Sequence, residues 1–158
     1  MKKFYSREKL AGLLGRLKRK KKRVVFANGC FDLLHVGHLR YLQGAKKSGD
    51  LLVVALNSDA SVRKLKGSAR PLMPLKERVE LISALDCVDY VNSFSETSAE
   101  KTLRLLKPDI QAKGTDYTKK SVPEAELMRT LGGRVVITGD PKNHSSSDMV
   151  KKIRKAFR

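Results

Sequence analysis

Apolar and polar positions along this chain switch between two periods, and the switches mark out its elements. Leucines at 10, 13, 14 and 17 recur at i, i+3, i+4 and i+7, the stripe of an amphipathic helix across residues 6–20, with Ser6 as candidate cap. Beyond it, short apolar and β-branched runs at Arg23–Ala27, Leu51–Leu56, Val88–Val91, Asp109–Ala112 and Arg134–Thr138 read as strands. Helical patterns occupy His38–Lys47, Leu75–Leu85, Ala99–Leu106, Pro123–Leu131 and Ser146–Phe157, with a short turn near Ala60–Leu65. Pro108 stops one helix after Lys107, and Gly132-Gly133 ends another. Short apolar strands alternating with helices predict an α/β single domain. Its parallel five-stranded sheet, joined by right-handed crossovers, is flanked by helices, and the N-terminal amphipathic helix is added to it.

In a Rossmann-like sheet of this kind, ligands bind outside the carboxyl ends of the strands, where the strand order reverses. Polar segments follow four of the five strands, 28–38, 57–59, 113–117 and 139–147, and all but 57–59 contain glycine. They predict one crevice. A chain of 158 residues supports one core without staples, and 41% hydrophobic with 32% charged residues argues against disorder. No apolar run approaches the roughly 20 residues of a membrane helix, and Met-Lys-Lys opens no secretory signal. Cys30 and Cys87 make no disulfide framework, so a reducing cytoplasm is expected.

The net charge of +18, from 34 Lys+Arg against 16 Asp+Glu, raises the possibility of nucleic acid. Much of it is local, in Arg16–Arg23 and Lys151–Arg158, and like-charged runs are most often solvated faces. Residues 1–22 read as a basic helical extension. No RNA-binding strand signature, zinc-finger spacing or basic zipper accompanies the charge, so neither a specific nucleic acid nor a membrane is expected as partner. Steering of anionic substrates is the milder consequence.

The chemistry concentrates in Val24–His38. An apolar strand leads to a tight turn expected at Asn28-Gly29, then to His35-Val36-Gly37-His38 at the start of a helical pattern. Gly37 removes a side chain between the histidines, so a ligand can approach the backbone there. A helix N-terminus offers unpaired N–H groups and a positive dipole end, which suit a phosphate. Two surface histidines at a loop–helix junction would be the plainer reading. A zinc site would need a third ligand at suitable spacing, and none stands there, so no metal ligand set is expected.

Asn28–His38 resembles the signature of the H-x-G-H nucleotidyltransferase superfamily, which includes glycerol-phosphate and choline-phosphate cytidylyltransferases. The segments Tyr41–Gly67, Arg70-Pro71-Leu72 and Ala84–Val91 extend the likeness across residues 20–157, to the adenylyltransferase domain of the bacterial ADP-heptose pathway. In many bacteria that domain is fused to a sugar kinase. This length has no room for one, so a stand-alone enzyme with its nucleotidyltransferase domain at 23–158 is expected. The resemblance implies that AMP passes from ATP to D-glycero-β-D-manno-heptose 1-phosphate, giving ADP-heptose and pyrophosphate. Mg²⁺ would arrive as MgATP, carried by phosphate oxygens. A homo-oligomer, dimer or tetramer, is also expected, with the N-terminal apolar stripe as a candidate contact.

The same resemblance assigns roles. His35, His38 and Lys66 would act on the phosphates, His38 at the α-phosphate. Asn28, Gly29, Cys30, Phe31, Gly37, Lys113, Gly114, Asp116, Tyr117 and Ser145, Ser146 and Ser147 would hold the nucleotide. Asp32, Asn57, Lys66, Arg70 and Arg78 would hold the sugar phosphate, Asp32 through sugar hydroxyls and Asp116 through the ribose. Turn or N-cap duty is the rival reading for Asp32 and the serines, a solvated lysine for Lys66, and a pair with a nearby carboxylate for Arg78. Thr115 stands where the family has a second glycine, and Lys142, Asn143 and His144 stand where cytidylyltransferases place an arginine. Competing readings are another H-x-G-H enzyme, of glycerol-phosphate cytidylyltransferase or FAD synthetase type, and a basic RNA-binding module.

Overall fold

The computed structural model describes residues 2–118, 121–141 and 145–157. Its elements, in order, are α1 (Arg7–Arg19), β1 (Val24–Gly29), α2 (Val36–Lys46), β2 (Leu51–Asn57), α3 (Asp59–Lys66), α4 (Leu75–Ala84), β3 (Tyr90–Phe94), α5 (Glu100–Leu106), β4 (Ile110–Lys113), α6 (Ala125–Thr130), β5 (Arg134–Ile137) and α7 (Ser146–Ala156). The five strands form one parallel sheet in the order β3-β2-β1-β4-β5. Strand order reverses between β1 and β4, so the ligand crevice of such a sheet belongs at their carboxyl ends.

Alternation along the strands divides the core in two. Val25, Ala27, Val54, Ile110 and Ala112 pack under Leu42 and Ala45 of α2 and under Val79 and Ile82 of α4. Phe26, Val53 and Ala55 face the other way, against Leu10 and Leu14 of α1, Leu103 of α5, and Leu127 and Met128 of α6. Burial on both faces explains why these strands read as unbroken apolar runs. Ser6 caps α1, as its position predicts. The leucine stripe of α1 packs against the chain's own core, and Tyr5 and Lys3 pair with Val91 on edge strand β3. The N-terminal segment is thus packed as part of the α/β layer structure.

Three local expectations change. Asn28-Gly29 is not a tight turn: both residues stay in the ladder, opposite Ala55 and Leu56. The chain turns at Cys30–Leu34, where Phe31 and Leu33 adopt φ of 50° and 57°. Gly29 makes room for that turn, because a Cβ there would lie 3.2 Å from the Phe31 ring. Residues 59–66 form a full helix, not a short turn, because the Ser58 hydroxyl accepts the Ser61 N–H (3.2 Å) and Val62 is buried. Strand β3 begins two residues later than its apolar pattern suggests. The Asp89 carboxylate takes the Leu52 N–H (2.7 Å) and the Lys46 ammonium (2.6 Å), so ladder pairing starts only at Tyr90.

Gly139, just after β5, has φ 102°, and a Cβ there would lie 3.3 Å from Cα of Tyr41 on α2. Only glycine adopts this backbone freely while the helix lies so close. The Gly139→Ala variant is expected to lose about 1–3 kcal/mol of stability, read as a lower urea midpoint at unchanged m. An unchanged midpoint would contradict this account.

Candidate active site

The site is built where β1 runs into α2. His35 is the N-cap residue of α2, with extended backbone, and His38 lies in the helix's first turn. The Nδ1 atom of His38 accepts the backbone N–H of His35 (3.4 Å), so in the neutral ring the proton sits on Nε2. The two imidazoles stack with centroids 3.8 Å apart, and the Phe31 ring meets His38 edge-on at 5.4 Å. Burial pushes the His38 pKa down to about 4, with help from positive charge at His35 and Lys66. At neutral pH His38 is therefore an uncharged N–H donor.

That shift has a sign. The unfolded chain takes up the His38 proton near pH 6.5 and the folded chain only near 4, so stability falls as pH falls through this window. The His38→Gln variant is expected to show a flatter dependence of its unfolding midpoint between pH 6.5 and 4. Parallel profiles for the two chains would contradict the shift.

Around the histidines opens a cavity of about 690 Å³ at the carboxyl ends of the strands. Asn28, Gly29, Cys30, Phe31, Asp32, Gly37, Asn57, Lys66, Lys113, Gly114, Asp116, Tyr117 and Ser145–Ser147 all line it. Burial raises the Cys30 pKa above the usual thiol value, against the lowering effect of Lys66 and Arg78, so the group stays a thiol; it lies 3.9 Å from Asn57 Oδ1. Nothing about it resembles an activated nucleophile. Ser145 caps α7, its hydroxyl accepting the Asp148 N–H (3.0 Å), while Ser146 donates to the carbonyl of Asp32. Lys142, Asn143 and His144 lie outside the described residues.

Three residues expected to meet the sugar phosphate are committed elsewhere. The buried Asp32 carboxylate accepts the N–H groups of Leu72 (3.0 Å) and Met73 (3.0 Å) and pairs with Arg70 (2.7 Å). Burial alone would raise its pKa, but the Arg70 and backbone hydrogen bonds outweigh it and hold the carboxyl below its usual range. Its oxygens are thus engaged in fixing the 70–73 loop, and Arg70 is not among the residues that line the cavity. Arg78 is wholly buried in α4. Its guanidinium donates to the carbonyls of Cys30 (2.6 Å), Asn57 (2.9 Å) and Met73 (3.0 Å) and to Asp59 (2.7 Å). It ties the ends of β1 and β2 together beneath the crevice and lies out of a ligand's reach.

The cavity also includes residues that carry no signal in the sequence. Tyr41, on α2, donates its hydroxyl to the Ala112 carbonyl (2.8 Å), and burial raises its pKa. Glu124, the N-cap residue of α6, forms an ion pair of 3.1 Å with Lys113, and both side chains are buried. Thr115 donates to the Asp140 carbonyl, a link between the loops after β4 and β5 that a glycine could not make.

Comparison with known proteins follows the same outline. Residues 26–153 match the family model described as cytidylyltransferase-like. The chain is 48% identical over 148 residues to the bifunctional protein HldE of Geobacter sulfurreducens, covering 94% of this chain and 30% of that protein. For the bifunctional protein HldE of Pelobacter propionicus the figures are 46% over 155 residues, 98% and 32%. The chain thus spans about a third of the length of these relatives. Among solved structures, a lipopolysaccharide core biosynthesis protein from Thermoplasma volcanium superposes with TM-score 0.65 at 35% identity, over 77% of this chain and 99% of that one.

Proposed function

The chain belongs to the cytidylyltransferase-like family, and on that premise we propose that it transfers AMP from ATP to the phosphate of a heptose 1-phosphate. The observation that carries the reading is the stacked histidine pair at the N-terminal end of α2, with His38 uncharged at neutral pH, in the cavity at the carboxyl ends of the strands. An oxygen of the sugar phosphate attacks the α-phosphorus of ATP, the bond to the β-phosphate oxygen breaks, and pyrophosphate leaves. Such a reaction needs positioning and charge stabilisation more than a covalent intermediate. The N–H groups at the start of α2 and the Nε2–H of His38 supply fixed donors, and Lys66, on the cavity rim, supplies a cation. In this reading Mg²⁺ enters as part of the substrate MgATP, coordinated by phosphate oxygens.

Heptose as the sugar is supported by the motif likeness to ADP-heptose adenylyltransferases and by the lipopolysaccharide core biosynthesis protein among the similar structures. Pyrophosphate release tests the reading, with ATP and with CTP against a panel of sugar 1-phosphates, glycerol phosphate and riboflavin phosphate. The expected result is turnover with ATP and heptose 1-phosphate above every other pair. Preference for CTP with glycerol phosphate, or for flavin phosphate, would replace it. No turnover together with salt-sensitive RNA binding would favour an RNA-binding module.

A further inference from the structure

The crevice has two walls, one on each face of the sheet. The histidines stand on α2, over the face where Val25, Ala27 and Ala112 point. Asn28 and Lys113, next along β1 and β4 after the paired residues Ala27 and Ala112, point to the opposite face, where Phe26 and the α6 residues Leu127 and Met128 pack. On that second wall Lys113 and Glu124 pair at 3.1 Å with side chains only 8% and 7% exposed. Among the described residues, buried Asn28 Oδ1 receives no hydrogen bond, and buried Glu124 Oε2 has only the Lys113 ammonium as partner. The Tyr117 ring lies 5.3 Å from the Lys113 ammonium. All four residues line the cavity.

A carboxylate met by one ammonium still has lone pairs for a further donor. A buried acceptor without a donor, such as Asn28 Oδ1, is unfavourable unless something supplies the missing hydrogen bond. A phosphate cannot, because it has no proton to give Glu124 and would meet its negative charge. An adenine edge offers its N–H donors from a single amino nitrogen beside a ring-nitrogen acceptor, all in one plane. A polyol serves the carboxylate, the amide and the ammonium together: each hydroxyl both donates and accepts. An aromatic ring beside the pair adds a platform for sugar C–H groups. We propose that Glu124, held by Lys113, together with Asn28 forms the subsite that reads the hydroxyl groups of the acceptor sugar. This moves Asn28 and Lys113 from the nucleotide to the sugar, and it rests on the sugar-phosphate reading above.

The test compares the parent chain with Glu124→Gln, which keeps the shape and removes the charge. The KM for the sugar 1-phosphate is expected to rise tenfold or more, while the calorimetric Kd for ATP changes less than twofold. Sugar 1-phosphates lacking one hydroxyl add a second readout. The analogue that lacks the hydroxyl read by Glu124 should lose at least tenfold in kcat/KM with the parent chain and much less with the variant. Should Glu124→Gln fail to fold, Asn28→Ala is expected to show the same split between sugar and ATP. A weakened ATP affinity with the sugar KM unmoved would overturn the subsite and leave the sugar-phosphate reading standing. A parent chain inert toward every sugar phosphate would overturn both.

Discussion

The His38→Ala variant is expected to fold as the parent does and to lose about 10²–10³ in kcat for ATP and the sugar 1-phosphate, the usual consequence of deleting one preorganised donor. The fold should survive because, among the described residues, the ring makes one long hydrogen bond to the backbone of its own helix turn and otherwise meets the His35 and Phe31 rings. The activity should not, because the protonated nitrogen of this uncharged ring is fixed before substrate arrives. Water filling the space would have to reorient as charge builds on the phosphoryl oxygens. If the donor acts mainly in the transition state, KM for ATP changes little and kcat carries the loss. His38→Gln, which retains an N–H donor on a shorter and more mobile arm, should fall between the two. Circular dichroism with steady-state kinetics checks both halves. A folded alanine variant with near-parental kcat would remove His38 from the chemistry.

The placement of that donor is legible in the sequence because it depends on local order alone: an apolar strand, a loop, then two histidines within one turn at a helix start. Strand count, parallel sheet and crevice follow from the same periodicities, which reflect burial on both faces. What the sequence hides are partnerships across distance. Asp32 and Arg70 lie 38 positions apart, and nothing local shows that the carboxylate turns inward to hold the loop at Leu72 and Met73. Glu124 resembles any acidic residue near a helix start until β4 brings Lys113 against it. The end of β1 is obscured for a similar reason. Asn-Gly favours turns in isolation, but β2 continues alongside through Leu56 and keeps both residues paired.

Arg78 is the clearest case of a role set by tertiary structure, and the Arg78→Met variant should be destabilised more than either Gly139→Ala or His38→Ala. Its guanidinium is fully buried and meets four acceptors from four segments: Cys30 after β1, Asn57 at the end of β2, Met73 in the loop and Asp59 at the start of α3. Methionine fills the stem's volume but gives none of these donors, leaving three carbonyls without a partner and Asp59 without its cation. Removing one partner from a buried charged network typically costs about 3–5 kcal/mol. Asp59 is itself a third exposed and keeps the Leu75 N–H, so water can recover part of that, and the lower end of the range is expected. Arg78→Lys should recover little, since one ammonium cannot span four acceptors that a planar fork reaches together. Urea unfolding at pH 7 measures the difference directly. Because Cys30 and Asn57 both line the crevice, any folded fraction of the variant should show raised KM for both substrates while its residual kcat still depends on His38. Stability close to the parent's would mean that the carbonyls find other donors and that Arg78 does not organise the floor of the site.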